Sequence, residues 1–132
     1  MTYIDTYLSP IGLLEIKVTE IAVKSISFNG TAKNRPGKNG FPPILETCTQ
    51  QLDEYFTGAR KIFDLPLDPD GTDFQKMVWN ELLKIPNGQT TSYYQIASSL
   101  GDTGKTRAVG AANGKNPIGI IIPCHRVIGA VL

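Results

Sequence analysis

Cys124 and His125 carry the most reactive side chains of this chain. They sit in Pro123-Cys124-His125-Arg126, directly after the apolar run Ile118-Gly119-Ile120-Ile121-Ile122. A thiol, a titratable imidazole and a fixed cation thus occupy consecutive positions. The thiolate is the nucleophilic form, and an adjacent base or cation raises its share. Such a couple can attack a carbonyl, a disulfide or an alkyl carbon. The opposing reading is a buried, inert cysteine beside a surface histidine. The apolar run predicts a buried strand over 118–122. Neighbours on a strand point to opposite faces, so the pair needs the turn after Pro123, or a bridging water, to act together.

The chain has 132 residues, one histidine and two cysteines. One histidine and two cysteines fall short of the four N or S ligands of a structural zinc site, so no metal is expected. The other cysteine, Cys48, falls on the apolar face of a predicted helix and is read as core. No run approaches the roughly 20 apolar residues of a membrane span. Met1-Thr2-Tyr3-Ile4-Asp5 lacks the basic-then-apolar pattern of a signal peptide. A cytoplasmic protein with reduced thiols is expected. The net charge of +1 is unevenly spread. Residues 82–132 hold five basic side chains against Asp102, a net of +4, and the first 81 carry −3. A basic C-terminal part points to a polyanionic partner.

The elements that must position these residues follow from periodicity. Over residues 2–28, Leu14, Ile16 and Val18 alternate with Glu15 and Lys17, the period of a half-buried strand. Ser9-Pro10-Ile11-Gly12 is a turn, and Val23 to Phe28 a further strand. Asn29 to Pro43 is rich in Gly, Pro, Asn and Lys and reads as a flexible loop. Leu45, Cys48, Leu52, Tyr55 and Phe56 recur at helical spacing, with Gly58 as the stop. The Pro- and Gly-bearing stretch from Leu65 to Thr72 separates domain 1–68 from domain 69–132. The second domain opens with a helix from Asp73 to Lys84 carrying Phe74, Val78 and Leu82 on one stripe. Two short helices follow, Tyr93 to Leu100 capped by Ser92, and Arg107 to Asn113 capped by Thr103 or Thr106. A Gly-containing turn between them reads as helix-turn-helix.

The last of these helices is bald: Ala108, Gly110, Ala111 and Ala112, with Arg107 at its start. Major-groove readers carry several Asn, Gln, Arg or Lys. A bald helix suits close backbone approach, as in a minor groove, or close helix packing. Chemistry on a base requires the base to leave the stack. Arg107 can fill the gap with its planar guanidinium, and Tyr93 or Tyr94 can bring a phenol near the extruded base.

Together these residues resemble O6-alkylguanine-DNA alkyltransferases over nearly the whole chain. Pro123-Cys124-His125-Arg126-Val127-Ile128-Gly129 resembles the family's active-site motif. Gln51-Leu52-Asp53-Glu54-Tyr55-Phe56-Thr57-Gly58 is similar to its first-domain helix. Phe74-Gln75-Lys76-Met77-Val78-Trp79, Ile85-Pro86-Asn87-Gly88-Gln89-Thr90 and Ser92-Tyr93 are similar to its second-domain opening. Arg107-Ala108-Val109-Gly110-Ala111-Ala112-Asn113 and Asn116-Pro117 are similar to its recognition helix and hinge.

The resemblance implies an α+β fold: a small N-terminal antiparallel sheet with a helix, then a winged helix-turn-helix-like, mostly helical domain. It implies single-use transfer of a methyl or larger alkyl group from guanine O6 in duplex DNA to Cys124, with O4-alkylthymine as a secondary substrate. It casts His125 as the base acting through a water, Tyr93 as the group assisting the leaving guanine, and Asn116 as the hinge. Ser92, Arg107, Ala108, Gly110, Ala111, Ala112, Asn113 and Arg126 are the DNA contacts it suggests. It implies no cofactor, and a monomer that acts at the nucleoid. Some members carry a zinc site, for which this chain has no ligand set. The family also continues past Ala130-Val131-Leu132 with a loop over the base pocket and a glutamate behind the histidine. Their absence from this chain implies weaker activation of Cys124 and an uncovered, association-prone apolar run 118–122. The alternatives are a non-catalytic lesion-binding protein and a cysteine hydrolase or redox enzyme.

Overall fold

The structure, a computed structural model, describes residues 2–28 and 41–128. Most of the loop expected over 29–43 lies outside them, and so does the chain after residue 128. The chain divides into two compact units, Met1–Asp70 and Gly71–Leu132. Among the described residues no helix is long and apolar enough to cross a membrane.

The first unit holds strands β1 (Tyr3–Ser9), β2 (Gly12–Val18) and β3 (Val23–Ser27), antiparallel in the order β1-β2-β3. The expected alternation holds on β2, where Leu14, Ile16 and Val18 are fully buried. Ser9 closes the first turn: its hydroxyl donates to the Gly12 carbonyl at 2.6 Å and accepts from the Ile11 amide. Helix α1 (Pro43–Phe56) packs against all three strands and buries Leu45, Cys48 and Leu52. It starts at Pro43, the last residue assigned to the loop, because proline suits the first helical position. Gly58 follows the helix with φ +86°, the left-handed stop that only glycine adopts freely. The exit segment lies along β3, with Val23 exchanging backbone hydrogen bonds with Pro66 and Asp68.

The second unit opens with α2 (Asp73–Leu83), whose start is a capping box between Thr72 and Gln75. A two-residue strand β4 (Thr91–Ser92) leads into α3 (Tyr93–Ser99), capped by a second box between Ser92 and Gln95. Gly101, at φ +91°, ends it. Helix α4 (Thr106–Gly114) packs on both α2 and α3. The last described strand, β5 (Val127–Ile128), pairs parallel with β4. Val78, Trp79, Leu82, Ile96, Ala97, Val109 and Ala112 form the core of this unit, together with Ile118, Ile121 and Ile122.

Candidate active site and nucleic-acid interface

Helices α3 and α4 form the helix-turn-helix, but neither expected threonine caps α4. The Asp102 carboxylate accepts from the Gly104 amide at 2.9 Å and winds a 3₁₀ turn, Thr103–Lys105, that runs straight into the helix. The Thr106 hydroxyl instead donates to the Thr103 carbonyl. A carboxylate placed one residue ahead of Thr103 takes the free N–H first. On α4, Val109 and Ala112 face the core, whereas Arg107, Ala108, Ala111 and Gly114 are exposed. Ala108 and Ala111 are three apart and share a face. Ala112, expected at the DNA, is 2 % exposed, and its carbonyl accepts the buried indole N–H of Trp79 at 2.9 Å. It is a packing residue, because helical spacing turns it inward with Val109.

The run 118–122 is buried but is not a strand. Ile121 N–H donates to the Gly119 carbonyl at 2.8 Å, closing a three-residue turn centred on Ile120 at φ +73°. Ile122 N–H returns to the Ile118 carbonyl at 3.1 Å. Pro123, at φ −82° and ψ 66°, then centres a second three-residue turn in which Cys124 N–H donates to the Ile122 carbonyl at 2.8 Å. These are the geometries of a γ-turn and an inverse γ-turn. They fold Ile118, Ile121 and Ile122 inward, at 0 %, 6 % and 1 % exposure, so the uncovered patch expected there is not found. Asn116 staples the folded run. Its carboxamide oxygen accepts from Ile118 N–H at 3.0 Å, and its Nδ2 donates to the Ile122 carbonyl at 2.8 Å.

Cys124, His125 and Arg126 form a 3₁₀ turn. This is the turn the sequence required if thiol and imidazole were to leave opposite faces. Cys124 is half-buried and His125 exposed. Desolvation, and then the neighbouring Arg126 charge, hold the His125 pKa below its ordinary value. Both favour the neutral imidazole, the form that accepts a proton. Arg126, suggested as a DNA contact, turns back to donate from Nη1 to the Ile85 carbonyl at 2.7 Å. The Asn113 Nδ2 reaches the Cys124 carbonyl at 3.5 Å.

Pairing of β4 with β5 aligns Ser92 with Ile128. It therefore sets Tyr93, the next residue, beside the strand that leaves the Cys124 turn. The Tyr93 ring lies over Gly110 of α4, with ring carbons 3.5 Å from where a Cβ would be. The Ser92 hydroxyl is taken by its capping bond from Gln95 N–H. Tyr94, the other candidate phenol, is 54 % exposed on the outer side of α3. The second thiol, Cys48, is fully buried, and desolvation pushes its pKa up to about 12. Among the described residues no three His, Cys, Asp or Glu side chains converge as a metal site.

A bald helix, a tyrosine packed on its glycine and a Pro-Cys-His-Arg segment wound into tight turns thus occupy one unit. Residues 73–131 match the DNA-binding domain of 6-O-methylguanine DNA methyltransferases, and residues 2–69 match their ribonuclease-like domain. The chain belongs to the 6-O-methylguanine DNA methyltransferase family. It is 42% identical over 131 residues to a methylated-DNA–protein-cysteine methyltransferase of Methanosarcina acetivorans, covering 97% of this chain and 84% of that one. The constitutive methylated-DNA–protein-cysteine methyltransferase of Bacillus subtilis is 41% identical over 137 residues, covering 98% and 82%. The crystal structure of Mycobacterium tuberculosis OGT in complex with DNA superposes with a TM-score of 0.83 at 42% identity, covering 97% of this chain and 79% of that one. The α+β architecture expected from sequence is the one shared with these methyltransferases.

Sequence reasoning passed over Trp79 as a clamp on α4, Ile120 as the pivot of the turn leading to Cys124, and the Ile85 carbonyl as the anchor of Arg126. Only the first had a signal, a lone tryptophan beside a helical stripe.

Proposed function

We propose that this protein repairs DNA by moving an alkyl group from guanine O6 in duplex DNA to Sγ of Cys124. The exposed face of α4, with Ala108, Ala111 and Gly114, approaches the minor groove closely because nothing larger than a methyl group stands in the way. Arg107, exposed at the start of that face, fills the stack that the extruded base leaves. The base then lies between Tyr93 and Cys124.

The neutral His125 takes the thiol proton through a water. The thiolate attacks the alkyl carbon, so a C–S bond forms as the C–O6 bond breaks. The bonding pair passes to the guanine, and the Tyr93 hydroxyl assists by protonating it, since a neutral base leaves more readily than an anion. The imidazolium proton then returns through water to the Tyr93 phenolate, so net one proton moves from thiol to guanine and the alkyl group stays on sulfur. Nothing in that balance requires a cofactor, and each molecule reacts once. Thymine alkylated at O4 fits the same chemistry.

The observation that carries this reading is the β4–β5 pairing, which brings the start of α3 to the exit of the Cys124 turn. Intact-mass measurement after incubation with duplex DNA containing O6-methylguanine tests it. One added methyl per chain, mapped to Cys124 and absent in Cys124→Ala, is expected. Tight binding of the lesion with no adduct would instead identify a lesion binder, and turnover of an ester or disulfide a hydrolase or redox enzyme.

A further inference from the structure

The carboxamide of Asn113 is the one described side chain with a buried polar atom that no donor or acceptor meets. Its Oδ1 is buried without a partner, while its Nδ2 points at the Cys124 carbonyl from 3.5 Å. A buried acceptor without a donor is destabilising, and an apolar side chain of similar size would avoid the penalty. The cost is carried at a telling place. Asn113 lies in the last turn of α4, one turn after Gly110, on which the Tyr93 ring rests. The carbonyl it faces also accepts Val127 N–H, the bond that closes the nucleophile's 3₁₀ turn. The neighbouring Asn116 grips the same segment, but only as far as Ile122. Asn113 is therefore the side chain that joins α4 to the peptide of the nucleophile itself.

We propose that Asn113 is a positioning residue for alkyl transfer, tying the Cys124 peptide to α4 so that seating the helix and aiming the thiol are one event. This rests on Cys124 being the alkyl acceptor. At 3.5 Å the bond is long, and such contacts tighten when substrate completes a site. The role is positional, so replacement slows the reaction without weakening the fold.

Two variants test this, Asn113→Leu, which replaces the orphan amide with an apolar side chain, and Asn113→Ala, which adds no bulk. Three measurements are made on each: the melting temperature, the single-turnover rates with free O6-benzylguanine and with O6-methylguanine duplex, and hydrogen exchange at the Val127 amide. The expected result is an unchanged or raised melting temperature, with transfer slower by about 10- to 100-fold on both substrates. Exchange at Val127 should quicken while that of α2 stays as in the parent. Parental rates in both variants would overturn the proposal. So would a rate loss that merely tracks a fall in melting temperature. A parent chain that takes up no alkyl group from either substrate would overturn the assignment of Cys124 and this role with it, an outcome distinct from a failure confined to the variants.

Discussion

The indole N–H of Trp79 donates to the backbone carbonyl of Ala112 at 2.9 Å inside the core of the second unit. That carbonyl belongs to the last turn of α4, where helix carbonyls lack intrahelical donors, and Lys115 N–H is its other partner. The bond fixes α4 along α2. Gly71 makes room for it, because a Cβ there would stand 2.5 Å from the indole ring. Trp79→Phe should destabilise the second unit by about 1–3 kcal/mol, read from urea melts. Gly71→Ala should also destabilise, by displacing the same ring. An unshifted midpoint in both variants would show that α4 is held by other contacts.

Tyr93 and Gly110 make a second, finer contact. A methyl at position 110 would sit 3.5 Å from the Tyr93 ring, an ordinary van der Waals distance. Gly110→Ala should therefore keep the ring in place and stabilise the helix by about 0.5–1 kcal/mol. Gly110→Val adds branches that must push the ring aside. Its alkyl-transfer rate should fall while that of the alanine variant stays near the parent's. Equal rates in the two variants would remove Tyr93 from the mechanism.

His125 gives the protein a defined acid sensitivity. Its folded pKa lies below the ordinary 6.5, through desolvation and the Arg126 charge. Between those two values the unfolded chain binds more protons than the folded one, so stability rises with pH there. The contribution of this group is complete above about 6.5 and disappears as pH falls through the folded value. His125→Gln should flatten that part of the stability profile. The neutral imidazole also persists to lower pH than in a free histidine. Transfer should accordingly hold its rate at mildly acid pH and drop only at the lowered value. A rate that already halves at pH 6.5 would contradict this.

Ile120 makes the segment leading to Cys124 testable by backbone alone. A β-branched residue at φ +73° is strained by about 1–2 kcal/mol. Glycine adopts that angle freely, and proline, fixed near −65°, cannot. Ile120→Gly should keep alkyl transfer, because the turn is preserved. Ile120→Pro should lose it. Circular dichroism establishes that both variants fold, and equal transfer by the two would mean that the angle is immaterial.

What the sequence disclosed depended on how local the signal was. Strand β2 and helices α1 to α3 were legible because their apolar periods and caps lie within a few residues of one another. The run 118–122 was not, because a short apolar stretch has no period and suits a strand or a buried turn equally. Gly119 and Pro123 hinted at turns, but nothing marks isoleucine as the residue to take a positive φ. The threonine cap expected for α4 is not formed because Asp102, just ahead of Thr103, instead caps a 3₁₀ turn that runs into the helix. Ala112 looked like its alanine neighbours in composition, and only the helical phase, fixed by packing, separates it from Ala108 and Ala111.

The burial of Cys48 has a practical consequence. With one thiol fully enclosed and its pKa near 12, a folded sample offers thiol reagents a single cysteine, Cys124, at neutral pH. If each chain is spent by its first lesion, a water-soluble thiol dye stains only unused molecules. The dye then takes a census of remaining repair capacity one chain at a time, with no need to remove the second cysteine by mutation.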